Sequence, residues 1–348
     1  NVKGFETLEY KTGTTTAKNV LSDSMRKTVK SVVIPASVKQ YDYCVFENCV
    51  NLKMEMKISS SIISIGGNAF KNSGITFTSI DLTGVTKSSA VGVNAFTGTT
   101  VKKLIVGESG VKSYDSSNKE TYPFYNVKGF ETLEYKTGTT TAKNVLSDSM
   151  RKTIESAILP TSITKIDNYT FENCVNFNSI KIPRNLTFIG SSAFENCTNL
   201  KSEMEISSSI ISIGINAFKN SGITFTSVDL TGATKGGAIG KNAFTGTTVK
   251  KLIVGDIGVS TNSSDINAYR ETYPFYNVKG FETLEYKTGT TTAKNVLSDS
   301  MRKTVKSVVI PASVKQYDYS VFENCVNLKM EMEISSSIIS IGINAFKN

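Results

Sequence analysis

Fourteen times the sequence returns to one short phrase: a bulky apolar anchor, a tight polar turn, and a β-rich run. The anchors are Met25, Phe46, Phe70, Phe96, Phe124, Met150, Phe171, Phe194, Phe218, Phe244, Phe275, Met301, Phe322 and Phe346, spaced 21 to 31 residues apart. A unit of that length cannot bury its own apolar face, so successive units must stack and share a core. A chain of 348 residues would ordinarily suggest two or three globular domains. The periodicity instead predicts one continuous array over residues 1–348, about 14 rungs long.

A longer period overlies the short one. Residues 1–28, 126–153 and 277–304 are identical, and residues 277–348 repeat 1–72 with three changes. Cys44, Lys57 and Gly67 become Ser320, Glu333 and Ile343. The offsets of 125 and 151 residues differ by one extra 23-residue unit, Phe171 to Phe194, and a 3-residue loop extension before Pro274. Whole rungs have been gained and lost, and the differences between copies show what a rung tolerates. With no polar capping segment at either end, the chain reads as an excerpt of a longer protein.

Within a rung, the anchor and turn are followed by apolar residues such as Phe177, Ile180 and Ile182, or Val101, Leu104 and Val106. The last two of each set alternate with polar residues, the period of a strand with one buried face. One repeat separates consecutive strands, enough for a crossover, so they are predicted to be parallel. The return path carries a second apolar pair, as in Ile62 and Ile65 or Ile210 and Ile213, among Ser, Thr and Gly that favour short strands and turns over helix. Two residues past the anchor stand Asn48, Asn72, Gly98, Asn126, Asn173, Asn196, Asn220, Gly246, Asn277, Asn324 and Asn348. Asn and Gly enter the left-handed region most cheaply, so a turn there explains their exchange, and a metal or sugar ligand would not accept Gly. Lys27, Lys152 and Lys303 hold that place after the methionine anchors, whose rungs should turn differently.

The run Phe171-Glu172-Asn173-Cys174, then Asn176-Phe177, Ser179-Ile180 and Ile182-Pro183, then Leu186-Thr187, Ile189-Gly190 and Ala193-Phe194, resembles the BspA-like, or treponemal type, leucine-rich repeat. The resemblance covers the whole chain and is strongest over residues 171–218. It implies a leucine-rich repeat solenoid with a single curved parallel sheet on the concave side and short β or 3-10 segments on the convex side. It also implies a cell-surface or secreted location and adhesion to host matrix, host cells or other microbes. A repeat fixes a fold far better than it fixes a ligand.

Cys49, Cys174, Cys197 and Cys325 stand three residues past an anchor, where other rungs place Ser73, Thr99, Ser221 or Thr247, and read as small inward side chains. Cys174 and Cys197 lie one rung apart, within reach of a disulfide, although parallel Cβ vectors place the sulfurs poorly. Cys44 is replaced by Ser320 in the near-identical copy, so it needs no structural role. The cysteine spacings fit no zinc motif and the chain has no His, so no metal or cofactor is expected.

The formal charge of +9 would by itself invite a polyanion. Placing the strands changes that reading. The two outward rows of the concave sheet hold ten acids and four lysines, a net −6 against +15 for the rest of the chain. Such a face disfavours nucleic acid. Acids interleaved with exposed aliphatic residues suit a protein partner with basic and apolar features. The candidate binding residues are Lys103, Ile105, Glu134, Ile158, Lys181, Glu203, Glu205, Asp229, Lys251, Ile253 and Glu285. A solvated sheet that keeps β-branched residues for strand propensity is the plainer account of the same rows. Glu331 and Glu333 belong to these rows as well.

Residues 107–122 and 255–273 interrupt the repeat, either as binding loops or as tolerated insertions. Sequons stand at Asn168, Asn185, Asn196 and Asn262. No apolar run is long enough to span a membrane. Without His, a phosphate loop or a nucleophile elbow, and with acids repeated along a face instead of gathered in a pocket, the chain is not expected to be an enzyme. A binding or adhesion protein is the leading expectation. A surface spacer or coat without a specific ligand, and an intracellular interaction scaffold, are the alternatives.

Overall fold

The computed structural model describes residues 4–256, 270–329 and 336–347. Asn262, Glu331, Glu333, Asn348 and most of the 255–273 loop lie outside them. The described residues form a parallel β-solenoid with little helix, in two compact units: Asn1–Ser162 with Ser179–Lys181, and Ile163–Asn178 with Ile182–Asn348.

In the first unit the long strands are Thr7–Glu9, Ser31–Val33, Glu55–Ile58, Thr76–Asp81, Lys103–Val106, Thr132–Tyr135, Ser156–Ile158 and Ser179–Ile180. The first two pair with each other, and the remaining six form a second ladder in sequence order, all parallel. Its register aligns Asp81 with Ile105, Glu134 and Ile158. No pairing joins Ser31–Val33 to Glu55–Ile58. The spacing within the rung gives a reason: three residues lie between Leu52 and Met56, against two between Phe177 and Ile180, which displaces the strand along its rung. On the return path of the same rungs the ladder is unbroken, with Gln40–Tyr41 paired to both Thr16–Ala17 and Ser64–Ile65.

The second unit repeats the plan. Glu203–Ile206, Thr224–Asp229, Lys251–Val254, Thr283–Tyr286 and Ser307–Val309 form one parallel ladder that aligns Asp229, Ile253, Glu285 and Val309. Two-residue strands line its return path, Phe188–Ile189 lying between Lys165–Ile166 and Ser212–Ile213. Alternate residues of Glu203–Ile206 are exposed and buried, as a half-buried strand requires.

The anchors form the core. Phe46, Phe70, Phe96 and Phe124 stack at centroid distances of 5.8, 5.4 and 5.0 Å in the first unit. Phe171, Phe194, Phe218, Phe244 and Phe275 do so at 5.2, 5.3, 5.5 and 5.0 Å in the second. Stacked rings separated by about one strand spacing let each aromatic bury against two neighbours.

Every described Asn or Gly two residues past a Phe anchor has positive φ, from 52° at Asn126 to 78° at Gly246. A second left-handed position, two residues before the anchor, was not expected from the sequence. It is held by Cys44, Asn68, Asn94, Tyr169, Ser192, Asn216, Asn242, Ser320 and Asn344. Cys44 and its counterpart Ser320 share this backbone, φ 54° and 53°, and both N–H groups bond the next rung, to Gly67 and Ile343 carbonyls. Two left-handed residues four apart turn alternate N–H groups toward the next rung. Those of Cys44, Phe46 and Asn48 donate to Gly67, Ala69 and Lys71. The Asn side chains extend this ladder, the Nδ2 of Asn196 donating to the Oδ1 of Asn173 at 2.9 Å and that of Asn72 to Asn48 at 3.2 Å.

The methionine rungs do turn differently. Asp23–Arg26, Asp148–Arg151 and Asp299–Arg302 are single α-helical turns. Ser22 caps the first of them with its hydroxyl. Lys27 is right-handed and its N–H bonds Met25, so no left-handed N–H reaches the next rung's Glu47 carbonyl. The Arg26 guanidinium takes over that bond at 2.8 Å, and also donates to Asn19 Oδ1 at 2.6 Å. Arg302 repeats the arrangement with Glu323 O at 2.6 Å and Asn295 Oδ1. Arg26 is 8% exposed and Arg302 is 7% exposed, so these cations are spent on holding rungs together.

Candidate protein-binding face

The outer face of the long strands collects the residues singled out from the sequence. In the first unit Lys103, Ile105, Glu134 and Ile158 lie on three adjacent strands, Ile158 being 50% exposed, and Lys181 lies just past Ser179–Ile180. In the second unit Glu203 and Glu205, Asp229, Lys251 and Ile253, and Glu285 occupy four neighbouring strands. Each unit thus presents one alternating line along its ladder, Asp81-Ile105-Glu134-Ile158 in one and Asp229-Ile253-Glu285-Val309 in the other.

The acids of this face are largely engaged. Lys103 pairs with Glu134 and Lys251 with Glu285, each at 2.6 Å across adjacent strands. Glu205 meets Arg184 at 3.3 Å and Glu203 meets Lys250 at 3.4 Å. Asp229 uses Oδ1 locally, accepting from the Thr231 N–H at 2.9 Å and hydroxyl at 2.6 Å, as Asp81 does from Thr83. A formal count of ten acids against four lysines therefore overstates the field. Lys250 and Arg184 stand outside the counted rows and offset Glu203 and Glu205, a reach that row counting omits. Left uncompensated are the aliphatic residues, Val33, Ile158 and Val309 being about half exposed.

Off this face, Cys44, Cys49, Cys174, Cys197 and Cys325 are joined in no disulfide, and four of them are buried. Burial pushes the Cys49 thiol up to about 11 despite the neighbouring Arg26. The Cys197 sulfur donates to the Phe171 carbonyl at 2.9 Å. The 107–122 loop is pinned down: Glu108 accepts from Thr140 N–H at 2.8 Å, Tyr114 and Tyr122 are buried, and the Tyr122 hydroxyl donates to Val145 O. Among the described residues no group of acids and cysteines could hold a metal ion, and no helix is long and apolar enough to cross a membrane.

Stacked parallel rungs, a one-residue-type aromatic spine and asparagine turns define a leucine-rich repeat solenoid. The profile of the BspA type leucine rich repeat region, six copies long, matches residues 23–144, 114–224, 148–270 and 239–348, and the chain belongs to that family. Among solved structures it is similar to a leucine-rich repeat protein from Eubacterium ventriosum ATCC 27560, at 18% identity over 92% of this chain and 83% of that one, TM-score 0.31. It is also similar to a leucine rich cell surface protein from Faecalibacterium prausnitzii A2-165, at 18% identity over 91% and 79%, TM-score 0.30. A leucine-rich repeat protein from Bacteroides ovatus ATCC 8483 aligns at 19% identity over 89% and 80%, TM-score 0.37. No curated protein matches the chain significantly.

Proposed function

We propose that this protein is a non-enzymatic cell-surface adhesin that docks a protein of host matrix, a host cell or another microbe on the outer face of its long strands. The observation that carries this reading is the line of outward aliphatic residues, half-buried Ile105 with exposed Ile158 in one unit and half-buried Ile253 with exposed Val309 in the other, bordered by Lys–Glu pairs that satisfy each other. An apolar centre with a polar, internally compensated rim is the anatomy of a protein interface. Family membership supports the surface location. The partner should therefore present apolar side chains to the face, with charge setting orientation and encounter more than affinity.

The test is binding of labelled protein to immobilised extracellular-matrix proteins and to epithelial cells. Binding should be saturable, and Ile105→Arg or Ile253→Arg should weaken it about tenfold, the effect of losing one central contact. Both variants should keep the unfolding midpoint, since each side chain stands on the outer face. Absence of binding, or variants that bind as well as the parent, would favour a spacer without a ligand.

A further inference from the structure

Between Ser31–Val33 and Glu55–Ile58 the first unit is open. A cleft of about 400 Å³ lies there, lined by Val32 to Ala36 on one side and Met54 to Ser59 on the other, with Val38, Tyr41 and Ile62 below. Residues of a strand aim their main-chain groups alternately to either side. Ser31 and Val33 bond the Thr7–Glu9 side, through Ser31 N–H to Glu6 O and Tyr10 N–H to Val33 O. Val32 consequently points its N–H and C=O into the cleft. Opposite, the Met54 carbonyl accepts from the Thr76 N–H, which turns the main-chain groups of Glu55 and Lys57 toward the same space. No ladder bond spans it. Two strand edges thus face each other across a gap, roofed by exposed Glu55 and Lys57 and floored by apolar side chains, with the return-path strands below still paired.

We infer that this cleft takes an extended peptide segment as an added strand between Ser31–Val33 and Glu55–Ile58. Unpaired edges require main-chain donors and acceptors on both sides of the occupant, which an extended peptide supplies and a helix or a sugar does not. Three or four paired residues match the length of the flanking strands. Alternate side chains must be small and apolar to face Val38, Tyr41 and Ile62, and the outward ones polar, with an acid favoured opposite Lys57. Among the described residues Lys57 has no ion-pair partner, and the near-identical copy carries Glu333 in its place, so the charge preference belongs to this copy of the rung. This site is independent of the outer-face reading, because it uses main-chain edges and none of the residues altered in that test.

The probe is the peptide Thr-Val-Glu-Val-Thr, acetylated at its N-terminus and carrying a fluorophore on a C-terminal linker, followed by fluorescence anisotropy and by amide hydrogen exchange on the whole chain. In the protein alone, the amides of Val32, Glu55 and Lys57 should exchange far faster than the bonded amides of Tyr10 and Thr76. Peptide should bind saturably and slow exchange at those three amides. N-methylation at the peptide's first Val and its Glu, which removes one donor toward each edge, should weaken binding about tenfold or more. Lys57→Glu, a residue the repeat already accepts, should weaken it severalfold while leaving the fold intact. Slow exchange at these amides without peptide would overturn the proposal. So would absence of saturable binding, binding without their protection, or equal affinity of the N-methylated peptide.

Discussion

The turn residues show how far a single position can be read from chemistry. Exchange of Asn with Gly two residues past the anchor foretold positive φ, and Asn173 has φ 57°. Asn173→Val should cost about 1–2 kcal/mol in chemical denaturation, since a β-branched residue pays most in the left-handed region, while Asn173→Gly should cost much less. Equal stability of the two variants would contradict the left-handed turn. The companion position before the anchor gave no such signal, because Cys44, Tyr169 and Ser192 share it with Asn and no Gly marks it. The arginines were equally hidden. Three identical copies carry Arg26, Arg151 and Arg302, so no difference between copies exposed their role. Arg302→Met should strand the Glu323 carbonyl and the Asn295 Oδ1 in a buried site and destabilise by roughly 2–4 kcal/mol. A loss near zero would mean that the guanidinium bonds do not hold the rungs.

At the level of elements, the parallel strands, the short return strands and the altered methionine rungs were all legible, because each follows from a spacing or a substitution visible in one rung. The phenylalanine spine follows from the same anchors. Phe96 is fully buried with its ring nearly parallel to those of Phe70 and Phe124, at 12° and 3°. Phe96→Ala should therefore cost about 3–5 kcal/mol and Phe96→Leu clearly less, measured by denaturant unfolding. An alanine cost below about 1 kcal/mol would show that the neighbouring rungs collapse freely into the space. The interrupted ladder was not legible. It depends on one added residue between Leu52 and Met56, a shift that leaves the apolar alternation intact and so leaves the pattern of a strand unchanged. Of the candidate face, strand position and outward direction could be read. Which lysine reaches which acid could not, since Lys103 finds Glu134 and Lys251 finds Glu285 across strands 31 and 34 residues apart.

For the molecule as a whole, the missing histidines and the buried tyrosines together set the response to pH. With no His, no side chain has an ordinary titration between about pH 5 and 8. The titrations that oppose folding lie higher. Burial first, then the nearby Asp42 and Cys49, push Tyr10 up to about 12. Burial and a hydrogen bond to Asp148 push Tyr114 up to about 12, and burial raises Tyr122, Tyr273 and Tyr286 well above the ordinary phenol value. In the unfolded chain these phenols ionise near pH 10. A folded value above the unfolded one means that the native state holds on to its protons, so this contribution is fully present below about pH 10 and is lost as pH climbs toward 12. Thermal melts should thus give a level midpoint from about pH 6 to 8, a shallow decline above about 8.5 as the unfolded chain's thiols ionise while buried Cys49 and Cys325 stay protonated, and a steep fall above 10, with tyrosinate absorbance appearing together with loss of β signal. Tyr10→Phe should soften the fall, because it removes one phenol that must ionise on unfolding, at the cost of its hydrogen bond to the Lys18 carbonyl. Tyrosinate absorbance that rises fully near pH 10 while the β signal stays intact would show that the phenols titrate freely in the folded chain, and the rings would then not be buried as the solenoid requires.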